Sequence, residues 1–319
     1  GENGTVTILN SAFINTTARD WGGAIGGSGS SLSISNSDFI NTTAGTDGGA
    51  IEGWNVTVIN SNFINNSANG NGTSIYASAL NAKDCVFYSP NANGTAIIHI
   101  VSTSDDVNLT NNTIESNLLA IYNAGGRLVS PTTLTFDNDT IKIGESATLT
   151  GILTDDKGNI IGSNFNVTGK VNNTDLNFVF NDTTRKFTAT YTPQTAGDYT
   201  ISGNYPRATN CTVTNGTLTV NKGTIEEFNI DIASKVYGNF SGNITILPAG
   251  ATGNVSIKLN GTKYTQVELE NGKADWLLTN VTPGNYNVTF EYSGDDNYES
   301  AINSTIVTIT KMTTSIVLE

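Results

Sequence analysis

The chain is 319 residues long, enough for two or three domains that each bury a core, and carries a net charge of −13 from 15 Lys and Arg against 28 Asp and Glu. That balance supplies no basic stripe to neutralise phosphates, which argues against nucleic acid and anionic membrane surfaces as partners. No apolar run approaches the ~20 residues that span a bilayer, the opening GENGTVTILN lacks a signal-peptide pattern, and abundant Asn, Thr, Ser and Gly beside short Val, Ile and aromatic runs predict strands with almost no helix.

In chain order, the first third repeats itself. NSAFINTTARDWGGAI at 10–25 returns as NSDFINTTAGTDGGAI at 36–51 and, blurred, as NSNFINNSANGNGTSI at 60–75. Strand starts at Val6, Leu32, Val56, Leu80 and Val107 are followed by Phe13, Phe39, Phe63, Phe87 and Ile114. Ile25, Ile51, Ile75, Ile97 and Ile121 come next, giving five turns of about 21–27 residues with three apolar patches each. Such a chain winds once per repeat as three strands, so residues 1–130 are expected to form a parallel β-helix with like residues stacked at ~4.8 Å. Alternation points Val6, Ile8, Leu32, Ile34, Val56 and Val58 inward and Thr7, Ser33 and Thr57 outward. Asn10, Asn36, Asn60, Asp84 and Asn111 end the first strand of each turn, where a short polar side chain can enter the left-handed region. Gly22–Gly23, Gly48–Gly49 and Gly72 let the backbone corner before the third strand.

Near Pro131 the period vanishes and longer alternating runs begin. Residues 131–222, from ATLTGILT to GTLTVNK, predict a β-sandwich, and 223–312 repeats the plan, with Asn-Gly in LNGTK and ENGK predicting tight hairpins. The two modules share Pro193 and Pro283, then Gly-x-Tyr at Tyr199 and Tyr286, then a second tyrosine at Tyr205 and Tyr292. TTSIVLE at 313–319 echoes PTTLTF at 131–136 and reads as the opening strand of a further module. The chain therefore reads as a piece of a longer protein, truncated at its N-terminus, whose membrane or cell-wall anchor lies outside it.

Cys85 and Cys211 fall in separately predicted regions and read as free thiols. About 22 N-x-S/T triplets point to an exported, glycosylated exterior, with Asn41, Asn65, Asn138, Asn181, Asn260 and Asn287 as candidate acceptors. An Asn- and Thr-rich strand protein also generates such triplets by accident.

The words N-S-x-F-I-N and then G-G-A-I, at Asn10–Asn15 with Gly22–Ile25 and Asn36–Asn41 with Gly48–Ile51, resemble the repeats of polymorphic outer-membrane proteins and the right-handed parallel β-helices of the pectate-lyase-like superfamily. EYSGDDNYESA at Glu291–Ala301 is similar to the Y-x-G-D-x-N-Y ending of bacterial Ig-like domains. Combined in one Asn-rich chain, the two look like the adhesin-like surface proteins of methanogenic archaea. The resemblance implies an all-β chain, an N-terminal right-handed parallel β-helix followed by two Ig-like β-sandwich domains, working outside the cell at its surface in attachment to other cells, hosts or polymers.

Catalysis finds little support in the residues. A lyase needs a strong base beside Ca²⁺-holding acids and a hydrolase needs converging carboxylates. Here Arg19, Lys83 and Arg127 stand far apart in the coil register, Asp38, Glu52 and Asp105–Asp106 do not repeat on adjacent turns, and Asp47 reads as a turn former. The chain is read as non-enzymatic and without a cofactor, Ca²⁺ at Asp137–Asp139, Asp155–Asp156 or Asp295–Asn297 being the one candidate ion. The lone His99 falls with Ile97 by alternation and reads as a partly buried, hydrogen-bonded imidazole. Lys142, Lys170 and Lys258 near strand asparagines would permit an intramolecular cross-link, without a signature for one.

Surface aromatics are the better lead. Outward positions after the third-strand isoleucines read Gly26, Glu52, Tyr76, Ile98 and Tyr122, an expected binding face of Tyr76, Ile98 and Tyr122 that Trp21 and Trp54 extend. Ile14, Ile40, Ile64 and Tyr88 form a second apolar row, either outward or tucked into a turn. The reading is a monomeric adhesin whose β-helix, carried on an Ig-like stalk, meets a protein or carbohydrate of another cell. The alternatives are a purely structural spacer and a carbohydrate-active β-helix enzyme.

Overall fold

The computed structural model describes residues 4–313, which form strands and turns and contain no helix. The expected opening strand at 313–319 lies, apart from Thr313, outside the described residues. The chain divides into two compact units. The first comprises Gly1–Asp139, Ala147–Tyr191 and Tyr199–Leu218, and the second comprises Thr140–Ser146, Thr192–Asp198 and Thr219–Glu319.

In the first unit, strands one repeat apart pair in parallel, so that equivalent residues become columns. Leu32, Val56, Leu80, Val107 and Leu128 form one buried column, and Val6 continues its register but is 46% exposed. A second sheet stacks Phe13, Phe39, Phe63 and Phe87, with ring centroids 5.0, 4.8 and 4.7 Å apart and planes within 9° of parallel, and Ile114 continues the row. The Asn10, Asn36, Asn60, Asp84 and Asn111 corners all have positive φ, between 47° and 55°. Each needs a side chain that tolerates this region, and the same side chains bond along the stack: Asn60 Nδ2 donates to Asn36 Oδ1 at 2.8 Å and Asn111 Nδ2 to Asp84 Oδ1 at 2.6 Å. Gly49 answers a different need, because a Cβ there would sit 2.0 Å from the Thr73 carbonyl oxygen of the next coil.

The third-strand column corrects the sequence expectation. It runs Ile25, Ile51, Ile75, Ile98, Ile121 and Ile161, so Ile98 points inward and is wholly buried, and its expected outward place belongs to His99. Ile97 is also buried, but one step earlier: its carbonyl accepts from Ser74 N as the Ser74 carbonyl accepts from Ala50 N, which makes it a corner residue. Ile97 and Ile98 both lie in strand Ala96–Ile100, where alternation fails at the first step out of the corner and holds from Ile98 onward.

The last coils are not left as a bare edge. Strand Ile161–Ser163 pairs in parallel with Leu119–Asn123, Asp156 accepts the Asn111 N–H, and Asn159 Nδ2 donates to the Asn112 carbonyl at 2.9 Å. Tyr205, fully buried, is 2.7 Å from Ser163 Oγ through its hydroxyl and accepts from Asn123 Nδ2 at 3.3 Å. The strands within 147–191 and 199–218 therefore cap the coils and share a compact unit with them. Their own sheet runs antiparallel from Thr132–Phe136 through Ala147–Asp155, Lys186–Tyr191 and Thr174–Asn181 to Val167–Val171 and Gly197–Asn204, and buries Leu134, Phe136, Phe178 and Phe187.

The second unit holds two facing sheets. Glu227–Val236, Asn239–Leu247 and Lys273–Leu278 form one; Thr262–Leu269, Gly253–Leu259, Gly284–Tyr292 and Ala301–Ile309 form the other. Phe240, Trp276 and Phe290 meet at their shared core, with Trp276 centred 5.0 Å from Phe240 and 5.4 Å from Phe290. The expected hairpins close at Asn260–Gly261 and Asn271–Gly272, where all four φ values are positive. In the EYSGDDNY run, burial works against ionisation of Asp295, but N–H donors of Thr252, Asn297 and Tyr298 and the Thr252 hydroxyl outweigh it and hold the carboxyl below its ordinary range. That carboxylate ties the loop after strand Gly284–Tyr292 to the turn at Thr252, a structural reason for the motif.

Candidate functional site

The outward residues beside the isoleucine column form a column of their own: Gly26, Glu52, Tyr76, His99, Tyr122 and Gly162. The His99 ring lies between Tyr76 and Tyr122, at centroid distances of 5.5 and 4.8 Å and interplanar angles of 24° and 25°. The faces of the middle ring are therefore taken up by its neighbours. At its middle ring this wall offers a ligand an edge rather than a flat face for stacking.

Burial sets the charge of the column. It lowers the His99 pKa to about 4, with Asp47 pulling the other way, so the imidazole is neutral at neutral pH. Its Nδ1 is buried without a hydrogen-bond partner. Burial, then Asp47 and Glu52, raises the Tyr76 pKa, and burial with Asp182 raises that of Tyr122, so both hydroxyls stay protonated. The Glu52 carboxyl is also raised, chiefly by burial and further by Asp47, against the pull of a backbone hydrogen bond from Gly27.

Beside the column lies a groove of about 460 Å³, lined by Asn71, Thr95, His99, Leu118, Leu119, Tyr122, Asp182 and Arg185. The last two stand on a hairpin of local origin. Asn181 Oδ1 accepts the N–H groups of Thr183 and Thr184, both at 3.0 Å, and Arg185 takes a positive φ of 56° as its N–H closes onto the Asn181 carbonyl at 2.7 Å. The Arg185 guanidinium donates to the Asn117 carbonyl, and the Tyr122 hydroxyl donates to Asn164 Oδ1. Thr95 Oγ1 donates to Asn71 Oδ1 at 2.9 Å. The Asp182 carboxylate makes no hydrogen bond among the described residues, so it is free to accept from a ligand.

Of the residues expected on this face, Tyr76 and Tyr122 stand in the outward column and Ile98 does not. Trp21, 59% exposed, sits in the corner before strand Ile25–Ser35, with its carbonyl near Gly26 at the column's start. Trp54, 61% exposed, borders a different groove with Gly29, Asn55, Ala79 and Asp105. Asn71, Thr95, Leu118, Leu119, Asp182 and Arg185 were not singled out by the sequence. The only local signal was NDTTR at 181–185, which reads as a turn and a glycosylation triplet. The second row resolves outward: Ile14, Ile40, Ile64 and Tyr88 stack in register, with Ile14 55% and Tyr88 43% exposed.

The acidic turns are occupied by protein donors. Asp155 accepts from Lys157 N and from Asn159, Asp137 binds Lys186 Nζ at 2.7 Å and Thr150 Oγ1 at 2.5 Å, and Asp295 is tied as described. No three His, Cys, Asp or Glu side chains converge as metal ligands among the described residues. Lys170 and Lys258 pair with Asp175 and Glu291. Cys85 is buried, its thiol pushed up to about 11 by that burial, and Cys211 is half-buried; both are free. Asn41, Asn65, Asn138, Asn181, Asn260 and Asn287 are all exposed. Asn41 Nδ2 donates to Asn15 Oδ1 at 3.2 Å, whereas Asn138, Asn181 and Asn260 engage backbone N–H groups through Oδ1.

Residues 232–310 match the bacterial Ig-like domain (group 3), the stretch that folds as the two facing sheets of the second unit. No curated protein sequence matches the chain. Among solved structures, the adhesin InvE of Yersinia pseudotuberculosis is similar at 14% identity and a TM-score of 0.35, over 56% of this chain and 58% of that one. The Escherichia coli adhesin FdeC is similar at 15% identity and a TM-score of 0.27, over 63% and 68% of the two chains. The fibronectin(III)-like modules of Clostridium thermocellum CbhA match at 15% identity and a TM-score of 0.22, over 56% of this chain and 94% of theirs. No helix among the described residues is long and apolar enough to cross a membrane.

Proposed function

We propose that this chain is a non-catalytic attachment protein of an exported cell surface, in which the coil stack is the binding part and the Ig-like strands are its carrier. The observation that carries the reading is the groove lined by His99 and Tyr122, where Leu118 and Leu119 stand among polar side chains that the fold leaves only partly used. Two elements distant in sequence, the coil wall and the 181–185 hairpin, are needed to form it. The bacterial Ig-like match at 232–310 supports an extracellular carrier role. Its partner is a protein or carbohydrate on another surface.

The test is adherence of beads coated with the full chain to whole cells, compared with Asp182→Ala, with Tyr76→Ala and Tyr122→Ala together, and with Ile306→Asp on the carrier, where Ile306 is 82% exposed. The groove variants are expected to lose adherence, at unchanged unfolding temperature for Asp182→Ala, and Ile306→Asp to keep it. Adherence indifferent to all of them favours a spacer. Release of soluble sugars from the cells, abolished by Glu52→Gln, favours the enzyme, because Glu52 is the wall's one carboxyl raised by burial and a neighbouring acid.

A further inference from the structure

Resting on the attachment reading above, we propose that the groove takes a neutral sugar ring, gripped through two adjacent hydroxyls by Asp182 and Arg185 and laid with its C–H face on Leu118 and Leu119. Size sets the first limit. About 460 Å³ lies within the ~300–1,000 Å³ of small-ligand clefts and is too confined for a folded surface.

Chemistry sets the second. A hydroxyl both donates and accepts, so a pair of neighbouring hydroxyls matches a carboxylate acceptor and a guanidinium donor that line one groove. The Asp182 carboxylate has no hydrogen bond among the described residues, and Arg185 is steadied by the Asn117 carbonyl, which fixes its plane while leaving other N–H groups to donate. The His99 ring, stacked on both sides, contributes its edge, which suits hydroxyl recognition and withholds there the open aromatic face that an apolar protein anchor requires.

Charge sets the third limit. Arg185 offsets Asp182, the His99 imidazole is neutral at neutral pH, Asp47 accepts the N–H of the groove residue Asn71, and Glu52 stands two rungs from His99 along the same wall. An anionic sugar entering here meets uncompensated carboxylates, and a neutral one does not.

His99 is the one histidine of the chain, so its imidazole gives NMR signals assigned by composition alone. Methyl hexosides and the matching uronides are titrated into the full chain while those signals are followed, in parallel with adherence to cells before and after periodate, which oxidatively cleaves the C–C bond between carbons bearing adjacent hydroxyls. At least one neutral hexoside is expected to shift the signals saturably with a millimolar Kd, and its uronide to bind roughly tenfold more weakly. Asp182→Ala should abolish both effects, and periodate should abolish adherence. If no hexoside shifts the signals, if a uronide binds as well or better, or if adherence survives periodate and is lost to protease, the sugar assignment is overturned. Should Asp182→Ala still reduce adherence in those cases, attachment through the groove stands with a different ligand; if it does not, the attachment reading falls too.

Discussion

Phe39 is enclosed by Phe13 on one side and Phe63 on the other and is wholly buried. Its neighbours are pinned by ladder hydrogen bonds, so they cannot close over a missing ring, and Phe39→Ala should cost about 3–5 kcal/mol in a denaturant titration. His99 makes a prediction of opposite character. Its folded pKa of about 4 lies below the ordinary ~6.5 of an unfolded histidine, so between those values the unfolded chain binds the extra proton. This contribution to stability is complete above pH ~6.5 and is lost as the pH falls towards 4. Glu52, raised by burial, works the other way as pH rises through its folded value, so the comparison needed is wild type against His99→Tyr, which keeps the stack and removes the proton. The variant's stability relative to wild type should grow as pH falls from 6.5 to 4, by at most about 1.4 kcal/mol per unit; a difference flat with pH would show that the imidazole is not buried between the tyrosines.

At the scale of elements, the coil stack is closed by strands that lie beyond it in the chain. Strand Ile161–Ser163 adds a further rung to the wall, and Tyr205 locks it to Asn123. Tyr205→Phe keeps the ring in place and strands two buried polar partners, so it should lower stability by about 1–3 kcal/mol and speed hydrogen exchange in the coils at 119–123 as well as in its own strands. A change confined to the strands beyond residue 131 would show that the two parts fold separately. This junction was not legible in the sequence, where the loss of the coil period at Pro131 marks a boundary. Pairing across that boundary depends on a three-residue strand, Ile161–Ser163, with no repeat to announce it. The phenylalanine, asparagine and glycine columns were legible because they recur by identity at coil spacing. His99 was not: the words Gly-Gly-Ala-Ile are gone by that coil, AIIHI offers two isoleucines for one place, and only the pairing of Ile75 with Ile98 decides between them.

For the molecule as a whole, the two units use their side chains differently. The second unit closes Phe240, Trp276 and Phe290 into a core and uses the Asp295 carboxylate in tying loops. The first unit leaves Asp182, a half-buried histidine and two tyrosines on an outer wall beside a groove. Half of that site lies in the repeats, and the other half, Asp182 and Arg185, arrives from a hairpin far along the chain from the last coil residue of the groove, Tyr122, a separation that no sequence pattern spans.

Hydrogen exchange of the full chain with and without the glycan fraction of cells to which it adheres tests this most directly. Protection is expected to appear together in 95–101, 117–123 and 181–186, which with Asn71 border the groove, and to leave 227–309 unchanged. Protection confined to 227–309, or confined to the 54–57 and 79–81 segments around Trp54, would contradict it.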